Sequence, residues 1–343
     1  MEPLLTLDGI VKTFTQKRGG KRDVQAVAGV SLTVGRGETV GLVGESGCGK
    51  STLARLALKL IEPTAGRILF DGEDITARHG RAMLPVRRRM QAVFQDPLAS
   101  LNSRMTIAEI LREPFDTHGI KLGAALQPRI RELLSFVGME NTDTTKLPPQ
   151  FSGGQLQRIA IARALALEPD IIVADEPTSA LDPSIQAQIV NLLLFIQRQR
   201  QISYVIISHD LDVIGHVADR IAVMYLGTII EQGPAAAIIG SPWHPYTQAL
   251  LSAAPTLAAR RNPEWKRIVL TGDPPNPANV PTGCRFHPRC HLARDICRQV
   301  EPPLRPSEDG ARLIACHLAP EETAEKGRWI GQARLGMPAA ATA

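Results

Sequence analysis

The chain has 343 residues, enough for one large domain with an extension or for two modest domains. Hydrophobic residues make up 44% and charged residues 21%, which fits a folded soluble protein and excludes disordered, collagen-like and coiled-coil classes. The net charge of +5 permits contact with anionic partners without requiring it, and no uninterrupted apolar stretch reaches the ~18–20 residues of a membrane span.

The N-terminal part of the sequence has the pattern of strands. Residues 4–11 and 24–34 are β-branched and roughly alternating, which predicts two paired strands around a basic loop. Residues 39–43 form a short apolar run suited to a buried parallel strand. A glycine-rich loop and then helix-spaced leucines follow directly. This order of strand, loop and helix is the context expected for phosphate binding.

The middle of the sequence has a helical pattern over residues 98–150, which indicates a helical insertion. Helices and strands then alternate again from residue 155. The strands are predicted at 171–174, 204–207 and 221–224, and the helices at 186–199 and 210–217. This alternation predicts a doubly wound parallel sheet and an α/β fold.

The sequence beyond residue 233 is rich in proline, and four cysteines follow the prolines. This composition predicts a linker and then a small, loop-rich unit. Residues 321–343 mix charged residues, Ala and Gly without sustained periodicity, so we expect a flexible tail there.

Residues 44–51 match the phosphate-binding pattern G-x-x-x-x-G-K-S/T. Glycines let backbone N–H groups curl around phosphate oxygens, and the following helix N-terminus adds favourable partial charge. Lys50 is expected to neutralise the β- and γ-phosphates, and the Ser51 hydroxyl to bind Mg²⁺. The ATP contacts predicted in this segment are Gly44, Ser46, Gly47, Cys48, Gly49, Lys50, Ser51 and Thr52. The loop alone does not separate a kinase, a GTPase, a helicase and a transporter ATPase.

Two acidic residues follow the apolar strand predicted at 171–174. The carboxyl ends of parallel strands are where ligand sites of α/β proteins lie. Asp175 is therefore expected to hold Mg²⁺ through its water shell, and Glu176 to orient and activate the attacking water.

A second anion site is predicted at Ser152-Gly153-Gly154-Gln155, which begins a helix with a hydroxyl and free N–H groups. With this segment the sequence resembles the ATP-binding subunits of ABC transporters over about residues 4–235. Their signature is L-S-G-G-Q, and here Phe151 replaces the leading Leu. Further family elements follow in the expected order: Phe14 resembles the aromatic that stacks on adenine, Gln95 the Q-loop glutamine, Asp182 the D-loop aspartate and His209 the switch histidine.

The resemblance implies a P-loop NTPase fold with an added antiparallel β subdomain, and a role for each matching residue. Gln95 would bind Mg²⁺ and link the site to membrane subunits, and His209 would contact the γ-phosphate. The signature residues would contact a nucleotide held by a partner subunit, with Asp182 bridging the two. Two ATPase subunits would thus sandwich two ATP molecules head to tail, and Glu176, His209 and Gln95 would form the catalytic set.

The four C-terminal cysteines, Cys284, Cys290, Cys297 and Cys316, are separated by five, six and eighteen residues. Structural zinc sites usually use closer pairs, whereas a cubane iron–sulfur cluster tolerates wider spacing. Composition alone leaves a cluster, zinc and free thiols open. This region and residues 244–250 resemble the extension of oligopeptide/dipeptide permease ATPases, and that resemblance implies a 4Fe–4S cluster on the four cysteines, with zinc the weaker alternative.

The predicted organisation is an ATPase domain at 1–235 with a helical subdomain at about 98–158, an extension at 236–320 and a tail at 321–343. The predicted function is an ATPase that powers import of di- or oligopeptides at the cytoplasmic face of the inner membrane. Its expected partners are two permease subunits, a second ATPase subunit, identical or paralogous, and, indirectly, a solute-binding protein; no nucleic-acid partner is expected. The alternative is a non-transport ABC ATPase that acts on nucleic acid or ribosomes.

Overall fold

The computed structural model describes residues 2–16, 22–254, 259, 262 and 265–335. Its strands are β1 (Leu5–Gln16), β2 (Arg22–Val34), β3 (Thr39–Val43), β4 (Ala65–Phe70), β5 (Glu73–Asp74), β6 (Met90–Val93), β7 (Ile171–Asp175), β8 (Ser203–Ser208), β9 (Arg220–Tyr225), β10 (Thr228–Pro234), β11 (Arg305–Pro306) and β12 (Leu313–Ile314).

The helices between these strands are α1 (Lys50–Ala57), α2 (Leu84–Arg89), α3 (Pro97–Ser100), α4 (Ile107–Thr117), α5 (Leu126–Phe136), α6 (Gly153–Leu165), α7 (Pro183–Arg200), α8 (Leu211–Val217), α9 (Ala235–Gly240) and α10 (Pro245–Ala253). Helix α11 (Asp295–Gln299) lies within the cysteine-rich segment, and helix α12 (Pro320–Leu335) follows it. None of the helices within these described ranges combines the length and the apolar character that crossing a bilayer requires.

The main sheet has the strand order β11-β12-β10-β9-β3-β8-β7-β6. Its centre is parallel, from β9 through β3, β8 and β7 to β6. All five residues of β3 and all six of β8 are buried, because helices cover both faces of the parallel part. The predicted doubly wound α/β fold is confirmed.

A second, antiparallel sheet has the order β2-β1-β4-β5. The predicted pair β1 and β2 is present, with Leu5 opposite Val34 and Phe14 opposite Val24. Leu5 and Ile10 are fully buried and share a core with Leu53 and Leu56 of α1. This packing places β2 beside the start of α1, where the phosphate-binding loop ends.

The segment predicted as a helical insertion, 98–150, contains α3, α4 and α5, and α6 follows it. Thr106 caps α4 reciprocally: its hydroxyl accepts from the Glu109 N–H, and the Glu109 carboxylate accepts from the Thr106 N–H. Ile107, Ile110 and Leu111 then face the main core and are fully buried. The insertion is therefore attached to the main sheet by a continuous apolar core.

The C-terminal extension is part of the main sheet. β12 pairs with β10, with Ile314 opposite Glu231, and β11 pairs with β12. Phe286 is 1% exposed and belongs to the same core as the central strands. The small unit expected after a linker therefore shares its core with the ATPase part. The division at residue 235 stays a prediction.

The prediction of a flexible tail at 321–343 is wrong for residues 321–335, which lie in α12. A Cβ on Gly331 would stand 1.8 Å from the Gly240 carbonyl oxygen, so the absence of a side chain there permits the close approach of α12 to α9. Arg334 is 4% exposed and donates to the Leu251 carbonyl at 2.7 Å. The weak periodicity of this segment concealed a helix because glycines form part of its contact surface. Residues 336–343 lie outside the described ranges.

Candidate nucleotide-binding site

The phosphate-binding loop runs from the end of β3 into α1. Gly49, which caps α1, has φ of 110°, and a Cβ there would lie 2.3 Å from the Ala26 carbonyl oxygen of β2. Only glycine fits both the left-handed backbone and this close contact. Lys50 is 5% exposed, and its ammonium donates to the carbonyls of Gly44 at 2.7 Å and Glu45 at 2.9 Å. The loop thus holds a buried cation beside backbone that is shaped for phosphate.

Ser51 and Asp175 meet at the carboxyl ends of two central strands. The Ser51 hydroxyl donates to Asp175 Oδ1 at 3.1 Å. Burial raises the pKa of Asp175, the Ser51 hydrogen bond opposes that rise, and the charge of Glu176 adds to it. A hydroxyl and a carboxylate are the hard oxygen ligands that Mg²⁺ prefers, and a cation here would favour the ionised carboxylate. The two side chains therefore fit a Mg²⁺ site.

Glu176 has a left-handed backbone, with φ of 48°, and its N–H donates to the Ile207 carbonyl of β8 at 2.9 Å. For a residue other than glycine this conformation is uncommon and costs free energy. Its carboxylate Oε2 lies 3.4 Å from His209 Nδ1, and the His209 side chain is 60% exposed. The structure thus brings a carboxylate and an accessible imidazole together beside Asp175.

A cavity of about 300 Å³ opens at this place. The cavity is lined by residues of β2, the phosphate loop and the start of α1, the Q-loop, the position after β7 and the extension. These residues are Val24, Ala26, Ser46, Gly47, Gly49, Lys50, Ser51, Thr52, Gln95, Glu176 and Pro277. A larger cavity of about 410 Å³ lies at the opposite ends of the strands, beside Asp170 and Ser203, and none of the predicted site residues lines it.

Of the ATP contacts predicted in β1 and the phosphate loop, Gly44, Cys48 and Phe14 do not line the smaller cavity. Cys48 is 5% exposed, and burial raises the pKa of its thiol. Phe14 is 42% exposed and lies 5.2 Å beneath the Lys12 ammonium; its strand partner Val24 lines the cavity, whereas Phe14 does not. The adenine contact of Phe14 stays a prediction.

The signature segment begins α6 with exposed polar groups. Ser152 and Gln155 cap the helix reciprocally: the Ser152 N–H donates to Gln155 Oε1 at 2.9 Å, and the Gln155 N–H donates to Ser152 Oγ at 3.4 Å. Neither these residues nor Gly153 and Gly154 line the phosphate-loop cavity. Asp182, the N-cap of α7, is also exposed and makes no side-chain capping hydrogen bond. These groups lie outside the cavity that their own chain forms.

The prediction of a 4Fe–4S cluster is wrong. Among the described residues, which include all five cysteines, no three or more Cys, His, Asp or Glu side chains are grouped so that they could hold a metal ion, and this applies to the zinc alternative as well. The five cysteines are free thiols. Cys284 and Cys290 pack against the main hydrophobic core, and burial raises their pKa values to about 11 and about 12. They pack in the manner of small apolar side chains.

Residues of the C-terminal part of the chain also contact the phosphate loop, and no sequence pattern predicted these contacts. The Arg289 guanidinium binds the Glu45 carboxylate with two hydrogen bonds, at 2.7 and 3.0 Å, and the Tyr246 hydroxyl accepts from the Glu45 N–H at 2.9 Å. Pro277 lines the cavity. The segments that carry these residues stood out in the sequence, but no local signal joined Arg289 to a partner 244 residues away.

Comparison with known families and proteins agrees with this geometry. Residues 27–179 match the family described as ABC transporter, and residues 230–297 match the oligopeptide/dipeptide transporter C-terminal region. The oligopeptide transport ATP-binding protein AppF of Bacillus subtilis is 46% identical, with 92% of this chain and 98% of that protein covered. A Sinorhizobium fredii protein, described as "Probable peptide ABC transporter ATP-binding protein y4tS", is 48% identical, with 98% and 96% covered.

Among solved structures, the ATP-binding cassette MJ0796, in a dimeric post-hydrolysis state bound to ADP and Pi, matches with a TM-score of 0.62 and 31% identity. The match covers 67% of this chain and 98% of that one. Because these relatives are 46% and 48% identical and match over nearly their whole length, the chain belongs to the ABC transporter ATP-binding proteins, in the group with the oligopeptide/dipeptide transporter C-terminal region, and is an ATPase.

Proposed function

We propose that this ATPase powers the import of di- or oligopeptides through membrane permease subunits. The peptide substrate is supported by the C-terminal family match and by relatives whose names refer to oligopeptide or peptide transport. These same names favour transport over the alternative of a switch acting on nucleic acid or ribosomes. The observation that carries the ATPase role is the convergence of Lys50, Ser51 and Glu176 at one cavity, with Asp175 hydrogen-bonded to Ser51.

Within the site, each side chain has a distinct task. Lys50 exchanges its bonds to loop carbonyls for the β- and γ-phosphates of ATP, and the loop N–H groups bind the remaining phosphate oxygens. Ser51, Asp175 and Gln95 hold Mg²⁺, which when bound offsets the charge of the phosphates. Glu176 orients a water molecule and accepts its proton, and His209 contacts the γ-phosphate.

A second ATPase subunit completes each site. Ser152, Gly153, Gly154 and Gln155 would present their hydroxyl and N–H groups to ATP on that partner, and Asp182 would lie between the two nucleotides. This is supported by the exposure of the segment, its helix N-terminus and its place outside the chain's own cavity. Binding of ATP would draw the two subunits together, and hydrolysis would release them.

The partners and location follow from this role. The chain would bind two permease subunits at the cytoplasmic face of the inner membrane, with Gln95 beside the contact. An extracytoplasmic binding protein would deliver the peptide to the permease. The contact is supported by the exposure of Gln95 and of Leu98, which is 44% exposed.

The decisive experiment replaces the catalytic carboxylate. Glu176→Gln keeps the shape of the side chain but cannot accept a proton, so we expect kcat for ATP to fall about 10²- to 10⁴-fold while the Kd for ATP changes little. The matched control is Glu308→Gln, an exposed carboxylate on the extension. Undiminished turnover in Glu176→Gln would contradict the assigned role.

The peptide substrate needs its own test. The protein reconstituted with its permease subunits and binding protein should hydrolyse ATP faster when di- or oligopeptides are supplied, and Glu176→Gln should abolish uptake. Stimulation by an unrelated solute, with none by peptides, would refute peptide import and leave the ATPase role intact.

A further inference from the structure

The phosphate loop is held from one side by the part of the chain that follows residue 235. Arg289 and Tyr246 both bond to Glu45, the second residue of the loop, and Pro277 lines the same cavity as Ser46 and Gly47. Glu45 thus receives its carboxylate partner and its N–H partner from the C-terminal part of the chain. The contact is more specific than general packing, because hydrogen bonds set both the position and the orientation of one loop residue.

The Arg289–Glu45 pair is largely shielded from water. The Arg289 side chain is 7% exposed and that of Glu45 is 27% exposed. A two-pronged guanidinium–carboxylate contact is strong and geometrically demanding, and removing one partner leaves a charge without compensation. The Glu45 hydrogen bonds hold the pKa of Arg289 above its ordinary value. Glu45 also lies beside the region that receives phosphates, where a carboxylate without its Arg would repel them.

An aromatic cluster fixes the elements that carry these two partners. Rings of Tyr225 and Tyr246 lie 4.7 Å apart, and Phe286 lies 5.3 Å from each of them. Phe286 precedes Arg289 by three residues and is 1% exposed. The segment from which Arg289 reaches Glu45 is therefore anchored by a buried aromatic ring.

The turn after Tyr225 provides a second connection to the loop. The Gly227 N–H donates to the Cys48 carbonyl at 2.8 Å, and the Arg285 guanidinium donates to the Leu226 carbonyl at 2.6 Å. The extension thus touches both ends of the segment from Glu45 to Cys48, directly at Glu45 and through this turn at Cys48.

We propose that Arg289 is a positioning residue of the nucleotide site: by binding Glu45 it holds the phosphate loop in the shape that receives the nucleotide, and the C-terminal extension and the nucleotide thereby stabilise each other. The proposal rests on the ATP site proposed above. Coupling between two sites is reciprocal in binding free energy, so the extension must respond to nucleotide as the loop responds to the extension.

The first test measures nucleotide affinity in variants of the full-length protein. ADP with Mg²⁺ is the probe, because it is not hydrolysed and its Kd is read directly by calorimetry. Arg289→Gln should raise that Kd on the order of tenfold, within the range usual for coupled sites. Arg289→Lys keeps the positive charge but loses the planar guanidinium that forms two hydrogen bonds to the carboxylate. Its Kd for ADP should therefore lie between those of the wild-type protein and Arg289→Gln. For ATP turnover, KM should rise while kcat at saturating ATP stays nearly unchanged.

Two controls separate positioning from general stability. Arg294→Gln removes an exposed ion pair of the extension, in which the Arg294 guanidinium lies 2.7 Å from the Glu322 carboxylate. Because this pair is exposed, its loss should leave the Kd for ADP unchanged. In a Glu45→Gln background the Arg289→Gln effect should shrink to less than about threefold, because residues that act through one contact are not additive. An equal rise in both backgrounds would overturn the proposal.

The second test uses the unaltered protein and therefore does not depend on any variant folding. Saturating ADP should slow amide hydrogen exchange at residues 284–290, where the N–H groups of His287, Arg289 and Cys290 are hydrogen-bonded to backbone carbonyls. Protection of residues 50–53 without protection of 284–290 would overturn the proposal for Arg289 but leave the ATP site intact. Failure of the unaltered protein to bind ADP at all would overturn the ATP site and the proposal with it.

Discussion

His244 provides a pH-dependent test of how the extension is held. It is 1% exposed and lies 5.7 Å from Phe286. Its Nδ1 accepts from the Tyr246 N–H at 3.0 Å and so caps α10. The backbone N–H of His244 donates to the Glu231 carboxylate, which Arg312 neutralises. An acceptor at Nδ1 means that the ring is neutral, with its proton on Nε2. Burial lowers the pKa of His244 from its ordinary value of 6.5 to about 3.

The sign of the effect follows from which state binds the proton. Between pH 6.5 and pH 3 the unfolded chain protonates His244 and the folded chain does not, so the free energy of unfolding falls as the pH falls. The contribution is fully present above pH 6.5 and is lost progressively toward pH 3. At pH 5 the loss amounts to about 2 kcal/mol, from about 1.5 pH units at about 1.4 kcal/mol each.

The assay is urea unfolding at pH 7, 6 and 5, followed by tryptophan fluorescence, since Trp243 adjoins His244. His244→Asn retains a capping acceptor but does not titrate, so the wild-type protein should lose about 2 kcal/mol more than this variant between pH 7 and pH 5. His216→Asn, at an exposed site, should keep the wild-type slope. Parallel pH dependence of the wild-type protein and His244→Asn would refute the reasoning.

Three further outcomes are expected. Arg312→Met leaves the fully buried Glu231 carboxylate without its cation, so urea unfolding should show a loss of about 3–5 kcal/mol, and a loss below about 1 kcal/mol, as expected for an exposed pair, would contradict this. Gly331→Ala places a methyl group against the Gly240 carbonyl, so limited proteolysis should cut α12 sooner than in Gln332→Ala; equal cleavage would count against the close contact. Cys48 is buried with a raised pKa, so mass spectrometry should show slow alkylation by iodoacetamide; rapid modification would show that the loop opens.

The cysteine-rich segment is held in place by contacts with the rest of the chain. The sequence predicted a small, loop-rich unit after a linker, and the family resemblance implied a 4Fe–4S cluster on its cysteines. In the structure it is held by β12 on the main sheet, by the buried Arg312–Glu231 pair and by the Arg289–Glu45 pair. These contacts supply the core that a separate unit of this size would lack.

The sequence by itself determined the features whose residues are neighbours along the chain. The strand at 39–43, the helix that follows the glycine-rich loop and the helix that begins at Ser152 each depend on a few consecutive residues, so their local patterns predicted these elements correctly. The acidic pair Asp175 and Glu176 was located for the same reason, since it directly follows a buried strand.

Only the tertiary structure decided which distant side chains meet. Ser51 and Asp175 are 124 residues apart, and Glu45 and Arg289 are 244 apart. The free thiols of the extension and the helix at Pro320–Leu335 likewise depend on what surrounds them. Such contacts arise because the shared core brings remote segments together and removes water from between them, and no local stretch of sequence contains that information.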